Sequence, residues 1–171
     1  MENKKGIVFI GLRYLILLVL AAFNLAIFYI ILAPLTIYPF SWLLGIFYEV
    51  SITGNIVQFN GFSANIISSC VAGSAYYLLL ILNLTTPMSI RKRLKSIIFL
   101  FTTFLGLNII RILVFALLLS SGYAYFDLTH KMTWYLGSTL FVLLIWLANI
   151  KIYRIKNIPV YTDIKRIMRK P

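Results

Sequence analysis

Four stretches of the chain are almost unbroken runs of apolar residues, and each ends at a signal that stops a helix. The first is Leu12 to Ala33, followed by Pro34, which removes a backbone donor and so predicts the helix end. The second, Ile66 to Leu84, stops at Thr85-Thr86-Pro87. The third, Ser96 to Leu119, precedes Ser120-Ser121-Gly122, and the fourth runs from Trp134 to Ile150. At a 1.5 Å rise per residue these reach ~25–36 Å, enough for a hydrocarbon core. Between the first two, Asn55-Ile56-Val57-Gln58-Phe59 and Phe62-Ser63-Ala64-Asn65-Ile66 flank Asn60-Gly61. Alternation around Asn-Gly predicts a β-hairpin with a type I′ turn.

Composition strengthens the membrane reading. Of 171 residues, 61% are hydrophobic and 12% charged, with a mean hydropathy of +0.95, whereas soluble domains carry about 25% charged residues. The expected fold is an all-α integral membrane protein, a single domain over 1–171. It has about four transmembrane helices (12–33, 66–84, 96–119, 134–150) and a basic cytoplasmic tail (151–171). The aromatic segment Tyr38–Tyr48 is expected to lie in the interface or cover the bundle, next to the hairpin between helices 1 and 2. The first apolar run is too long for a signal-peptide core.

The net charge of +12 becomes a topology once it is mapped. Lys4, Lys5 and Arg13 precede or open the first span. Arg91, Lys92, Arg93 and Lys95 separate the second from the third. Lys151, Arg154, Lys156, Lys165, Arg166, Arg169 and Lys170 follow the fourth. All lie on one side of a four-span chain, so the positive-inside rule puts that side, with both termini, in the cytoplasm of a multi-pass cell-membrane protein. Topology accounts for the charge without nucleic acid, and the tail suits anionic membrane lipid.

Three residues do not suit a passive bundle. Arg111 lies in an otherwise apolar helix, where a charge costs at least ~2.5–3.5 kcal/mol and usually has a task. Asn108 shares its helical face. Cys70 lies in the first turns of the second helix, where the helix dipole favours a thiolate and Ser68 or Ser69 could cap. His130 falls in the last outer loop. The charge-derived topology puts all three at the extracytoplasmic face. A thiol nucleophile, a proton-transferring imidazole and a cation facing an oxyanion are the parts of an acyl-transfer site. The bland readings are a buried apolar cysteine, a solvated histidine and an arginine that snorkels past its helix end. With one cysteine, one histidine and four scattered acids, no metal or cofactor site is expected.

The order and spacing of these residues resemble the exosortase/archaeosortase family of membrane cysteine transpeptidases, in a compact archaeal-type form. The resemblance spans about residues 50 to 150. It rests on Ser69-Cys70-Val71-Ala72-Gly73, Asn108-Ile109-Ile110-Arg111, the later His130, the Gly54–Gly61 hairpin, Thr86-Pro87-Met88 and Arg91-Lys92-Arg93. Val71 and Ala72 stand where the family has a small or hydroxyl residue and then glycine. The resemblance implies cleavage of a C-terminal sorting signal (a motif, an apolar helix and a basic cluster) on secreted proteins, then transfer to an acceptor, a lipid anchor or an amine. Cys70 would be the nucleophile, Arg111 the oxyanion or substrate partner and His130 the proton carrier, with Asn108 and Ser69 supporting substrate. A hydrolytic thiol protease and a non-catalytic carrier or assembly subunit stay open from the residues alone.

Overall fold

A computed structural model describes residues 2–23 and 25–168. Helices dominate. In chain order they are α1 (Glu2–Ala22), α2 (Ala26–Leu44), α3 (Ser68–Val71), α4 (Gly73–Leu84), α5 (Ile90–Ser120), α6 (Phe126–Met132), α7 (Ser138–Tyr153) and α8 (Tyr161–Met168). A π-helical turn, Thr133–Gly137, joins α6 to α7. Three helices are long and apolar enough to cross a bilayer: Ala26–Leu44, Ile90–Ser120 and the continuous Phe126–Tyr153. Val8–Ala22 and Ser68–Leu84 are shorter apolar segments.

The first helix does not end at Pro34. It breaks earlier, at Leu25, whose φ of 58° is left-handed and whose N–H reaches the carbonyl of Leu20. The second helix then runs through Pro34 and Pro39 to Leu44. Each proline removes one backbone donor, and packing on both flanks sustains the helix, as in many membrane helices. Residues 38–44 of the expected interfacial segment are therefore helical. The stretch around Gly45–Tyr48 is a turn, tied down where the Tyr48 hydroxyl meets Ser120 Oγ at 2.9 Å.

The hairpin forms as its sequence predicts, with a strand added. β1 (Val50–Thr53), β2 (Ile56–Phe59) and β3 (Phe62–Asn65) make an antiparallel sheet in that order. Phe59 pairs with Phe62 across Asn60-Gly61, and both turn residues have positive φ, 46° and 77°, as a type I′ turn requires. Alternation puts Val57 and Phe59 into the core while Gln58 and Ser63 face outward. The sheet thus closes one end of the bundle by its apolar face.

At the opposite end the predicted basic loop is the start of a helix. α5 begins at Ile90, so Arg91–Lys95 are its first turns. Arg93 is buried, donating Nη1 to the Asn83 carbonyl at 2.6 Å and Nη2 to the Thr86 carbonyl at 3.0 Å. It thereby adds a charged donor to the carbonyls at the end of α4, where helical donors run out. Nearby, Asn83 Nδ2 donates to Ser96 Oγ at 2.6 Å, and Ser96 Oγ donates to Asn149 Oδ1 at 2.9 Å, all three fully buried. This chain links α4, α5 and α7.

The basic segment after residue 150 is not a plain tail. α7 continues to Tyr153, and α8 returns to the bundle. Asp163, 1% exposed, receives both Nη2 contacts of Arg13, at 2.9 and 2.8 Å, while Arg13 Nη1 donates to the Leu84 carbonyl. The sequence reading assigned Arg13 only a topological charge; its side chain is buried and paired. Arg169 and Lys170 lie outside the described residues.

α2 and α4 cross closely at Gly73, where an added Cβ would sit 2.8 Å from Tyr29 Cε1. The shared core joins Phe28 and Phe40 of α2, Tyr76 and Leu79 of α4, Leu100 and Phe104 of α5, and Val142 and Trp146 of α7. Tyr76 lies edge-on to Phe104 at 4.8 Å and to Phe101 at 5.2 Å, a favoured aromatic geometry.

Candidate functional site

The site is built on one face of α5. Asn108, Arg111 and Phe115 lie three and four residues apart, so 3.6 residues per turn stack them on one side. A different segment meets each of them. Asn108 Nδ2 donates to the backbone carbonyl of Cys70 at 2.8 Å. Arg111 Nη1 donates to Ser138 Oγ at 2.8 Å. Phe115 meets the His130 ring edge-on at 5.0 Å.

Cys70 is half-buried against the core. It is not at the start of a long helix, as the sequence suggested. Ala72 takes a left-handed φ of 57° and splits that helix into the single turn α3 and the separate α4. The Cys70 N–H bonds to the Ile67 carbonyl, Ile67 is the N-cap residue, and no side chain caps α3. The capping expected of Ser68 or Ser69 is therefore not made. What positions Cys70 is the tether from Asn108. The Asn108 Oδ1 is buried and has no partner among the described residues.

Arg111 is half-buried. The sequence reading missed Ser138, because a lone serine in an apolar run carries no signal and its partner is 27 residues away.

His130 is on a helix rather than in a loop, since α6 spans Phe126–Met132. Its ring stacks on Phe126, 8° from parallel with centroids 5.7 Å apart. Among the described residues no hydrogen bond joins it to Cys70 or Arg111. Phe115 is seven residues beyond Asn108, so the imidazole is held ~10 Å along α5 from the Cys70 tether. The fold ties the Cys70 backbone to Asn108, holds Arg111 on Ser138 one turn along α5, and packs His130 on Phe115 a further turn along. Ser69 makes no side-chain hydrogen bond among the described residues.

A cavity of 850 Å³ lies on the polar side of the sheet, lined by Glu49, Ser51, Gln58 and Ser63 among others. Neither Cys70 nor Arg111 lines it. No group of three potential metal-ligating side chains occurs among the described residues. No family model matches the chain, and no curated protein and no solved structure matches it either.

Proposed function

We propose that the protein is a membrane-embedded cysteine transpeptidase that cleaves C-terminal sorting signals of secreted proteins and passes the new C-terminus to a lipid or amine acceptor. The observation that carries this reading is the Asn108–Cys70 bond, with Arg111 one turn along the same helix. The backbone of a half-buried cysteine is tethered to a helix that also carries a guanidinium, and Arg111 would be costly in that helix without a task.

The chain crosses the membrane four times in this reading, through α1–α2, α3–α4, α5 and α6–α7. The sheet end is extracytoplasmic and both termini are cytoplasmic. Its support is the clustering of Arg13, the Arg91–Lys95 turns and Lys151 at the end away from the sheet, as the positive-inside rule requires.

The substrate's own apolar tail docks in the bilayer, and its cleavage motif emerges beside Cys70. The Cys70 thiolate attacks the scissile carbonyl carbon, forming an S–C bond and an oxyanion that the Arg111 guanidinium faces. The C–N bond then breaks, the departing amine takes its proton from protonated His130, and an acyl-thioester remains. An acceptor hydroxyl or amine attacks that thioester, the C–S bond breaks, and the acceptor's proton passes to His130. Because His130 is held away from the thiol by its aromatic contacts, it serves the leaving and entering groups rather than Cys70 directly.

The test is co-expression with a secreted protein ending in a motif, an apolar helix and a basic cluster. Mass spectrometry of the product's C-terminus should find an added acceptor; a free carboxylate means hydrolysis. Cys70→Ser and Cys70→Ala should abolish processing, and Arg111→Lys should nearly do so, because it keeps the charge but loses the planar fork. Processing that survives Cys70→Ala would overturn the enzymatic reading.

A further inference from the structure

His130 and Ser138 are eight residues apart on what is otherwise one continuous helix. In a regular α-helix, at 3.6 residues per turn, that spacing leaves them ~80° apart around the axis. Both nevertheless face α5, His130 against Phe115 and Ser138 against Arg111. The intervening turn explains this. The Ser138 N–H bonds to the Thr133 carbonyl, five residues back, so the turn takes up one extra residue. Eight residues then cover the rotation of seven, which comes within ~20° of two full turns. Gly137 closes the widened turn, since a Cβ there would sit 3.0 Å from Thr133 Cγ2.

We propose that Ser138 is a positioning residue for Arg111, kept in phase by the π-helical turn Thr133–Gly137. It would fix the guanidinium one helical turn from the Asn108–Cys70 tether while His130 faces the same side of α5. The bond to Ser138 occupies Nη1 and removes rotamer freedom from a long side chain. The remaining N–H groups are then left oriented for an anion. Such preorganisation is what a cation needs to stabilise charge that appears only during reaction. The inference rests on the transpeptidase reading for its purpose, but its geometry is testable without a substrate.

The 171-residue chain has one cysteine, so its alkylation in detergent micelles reports on Cys70 alone. The probes are iodoacetate, an anion, and iodoacetamide, its neutral counterpart. The ratio of their rates measures the cation at the thiol, whereas general loosening moves both rates together. Arg111→Gln should lower the ratio ~5-fold, a reasonable size for a unit charge acting across a few ångströms of partly screened medium. Ser138→Ala should lower it by most of that factor, and Ser138→Thr, which keeps the hydroxyl, should restore it. If Arg111→Gln lowers the ratio and Ser138→Ala leaves it at the wild-type value, the positioning role is overturned and the transpeptidase reading stands. If Arg111→Gln itself leaves the ratio unchanged, Arg111 does not act at Cys70, and both fall.

Discussion

The Asn108 side chain holds the backbone carbonyl of Cys70 at 2.8 Å, across 38 residues of sequence. The cysteine's place depends on this contact more than on its own helix, which is a single turn.

Replacing Asn108 with Ala should therefore uncouple α3 from α5. Leaving the Cys70 carbonyl without its partner costs about 1–3 kcal/mol. If that cost falls on the reacting geometry, substrate processing drops ~5–100-fold. The check is to compare processing with the melting temperature in detergent. Activity should fall far more than stability, and equal losses would mean that Asn108 serves the fold alone.

Deleting Leu136, which is exposed on the π-helical turn, should convert that turn to ordinary helix. Seven residues of ordinary helix then cover the same ~700° as eight residues with the widened turn, so His130 keeps its phase to Ser138. In a Cys70→Ser background, cysteines placed at Phe115 and His130 should oxidise readily to a disulfide both with the intact turn and after the deletion. A cross-link lost on the deletion would show that the turn does not take up one extra residue between His130 and Ser138.

Asp163→Ala should be strongly destabilising. Removing one partner of a buried pair leaves an uncompensated charge, at a cost of about 3–5 kcal/mol. Thermal unfolding in detergent should register the loss, and Arg13→Met combined with Asp163→Leu should recover most of it. A single Asp163→Ala change that melts like wild type would mean that Arg13 finds another partner.

Ser96→Ala breaks a three-helix relay, because Ser96 Oγ both accepts from Asn83 and donates to Asn149. Two buried amide groups lose partners at once, at roughly 1–3 kcal/mol each. Ser96→Thr keeps the hydroxyl and should lie much closer to wild type. Unfolding curves of the two variants decide the point.

What the sequence disclosed follows the range of the forces involved. The Asn60-Gly61 hairpin was readable because turn chemistry is local and both residues tolerate positive φ. The long apolar helices were readable from hydropathy, as was the shared helical face of Asn108 and Arg111. Pro34 misled, because a proline that ends a helix in water can be carried through a membrane helix by its neighbours. The breaks at Leu25 and Ala72 have no signature, since neither residue is a glycine or precedes a proline. Thr133–Gly137 carries no mark of its widened turn, which exists to satisfy contacts on another helix. The pairings of Arg111 with Ser138 and of Arg13 with Asp163 span 27 and 150 residues, beyond the reach of any pattern read along the chain.

The last of these pairings bears on how the molecule is made. Arg13 is translated 150 residues ahead of Asp163, so its guanidinium waits without its carboxylate until α8 has been made. Closure of this end of the bundle is thereby timed by α8: until Asp163 arrives, the buried position of Arg13 holds an uncompensated charge.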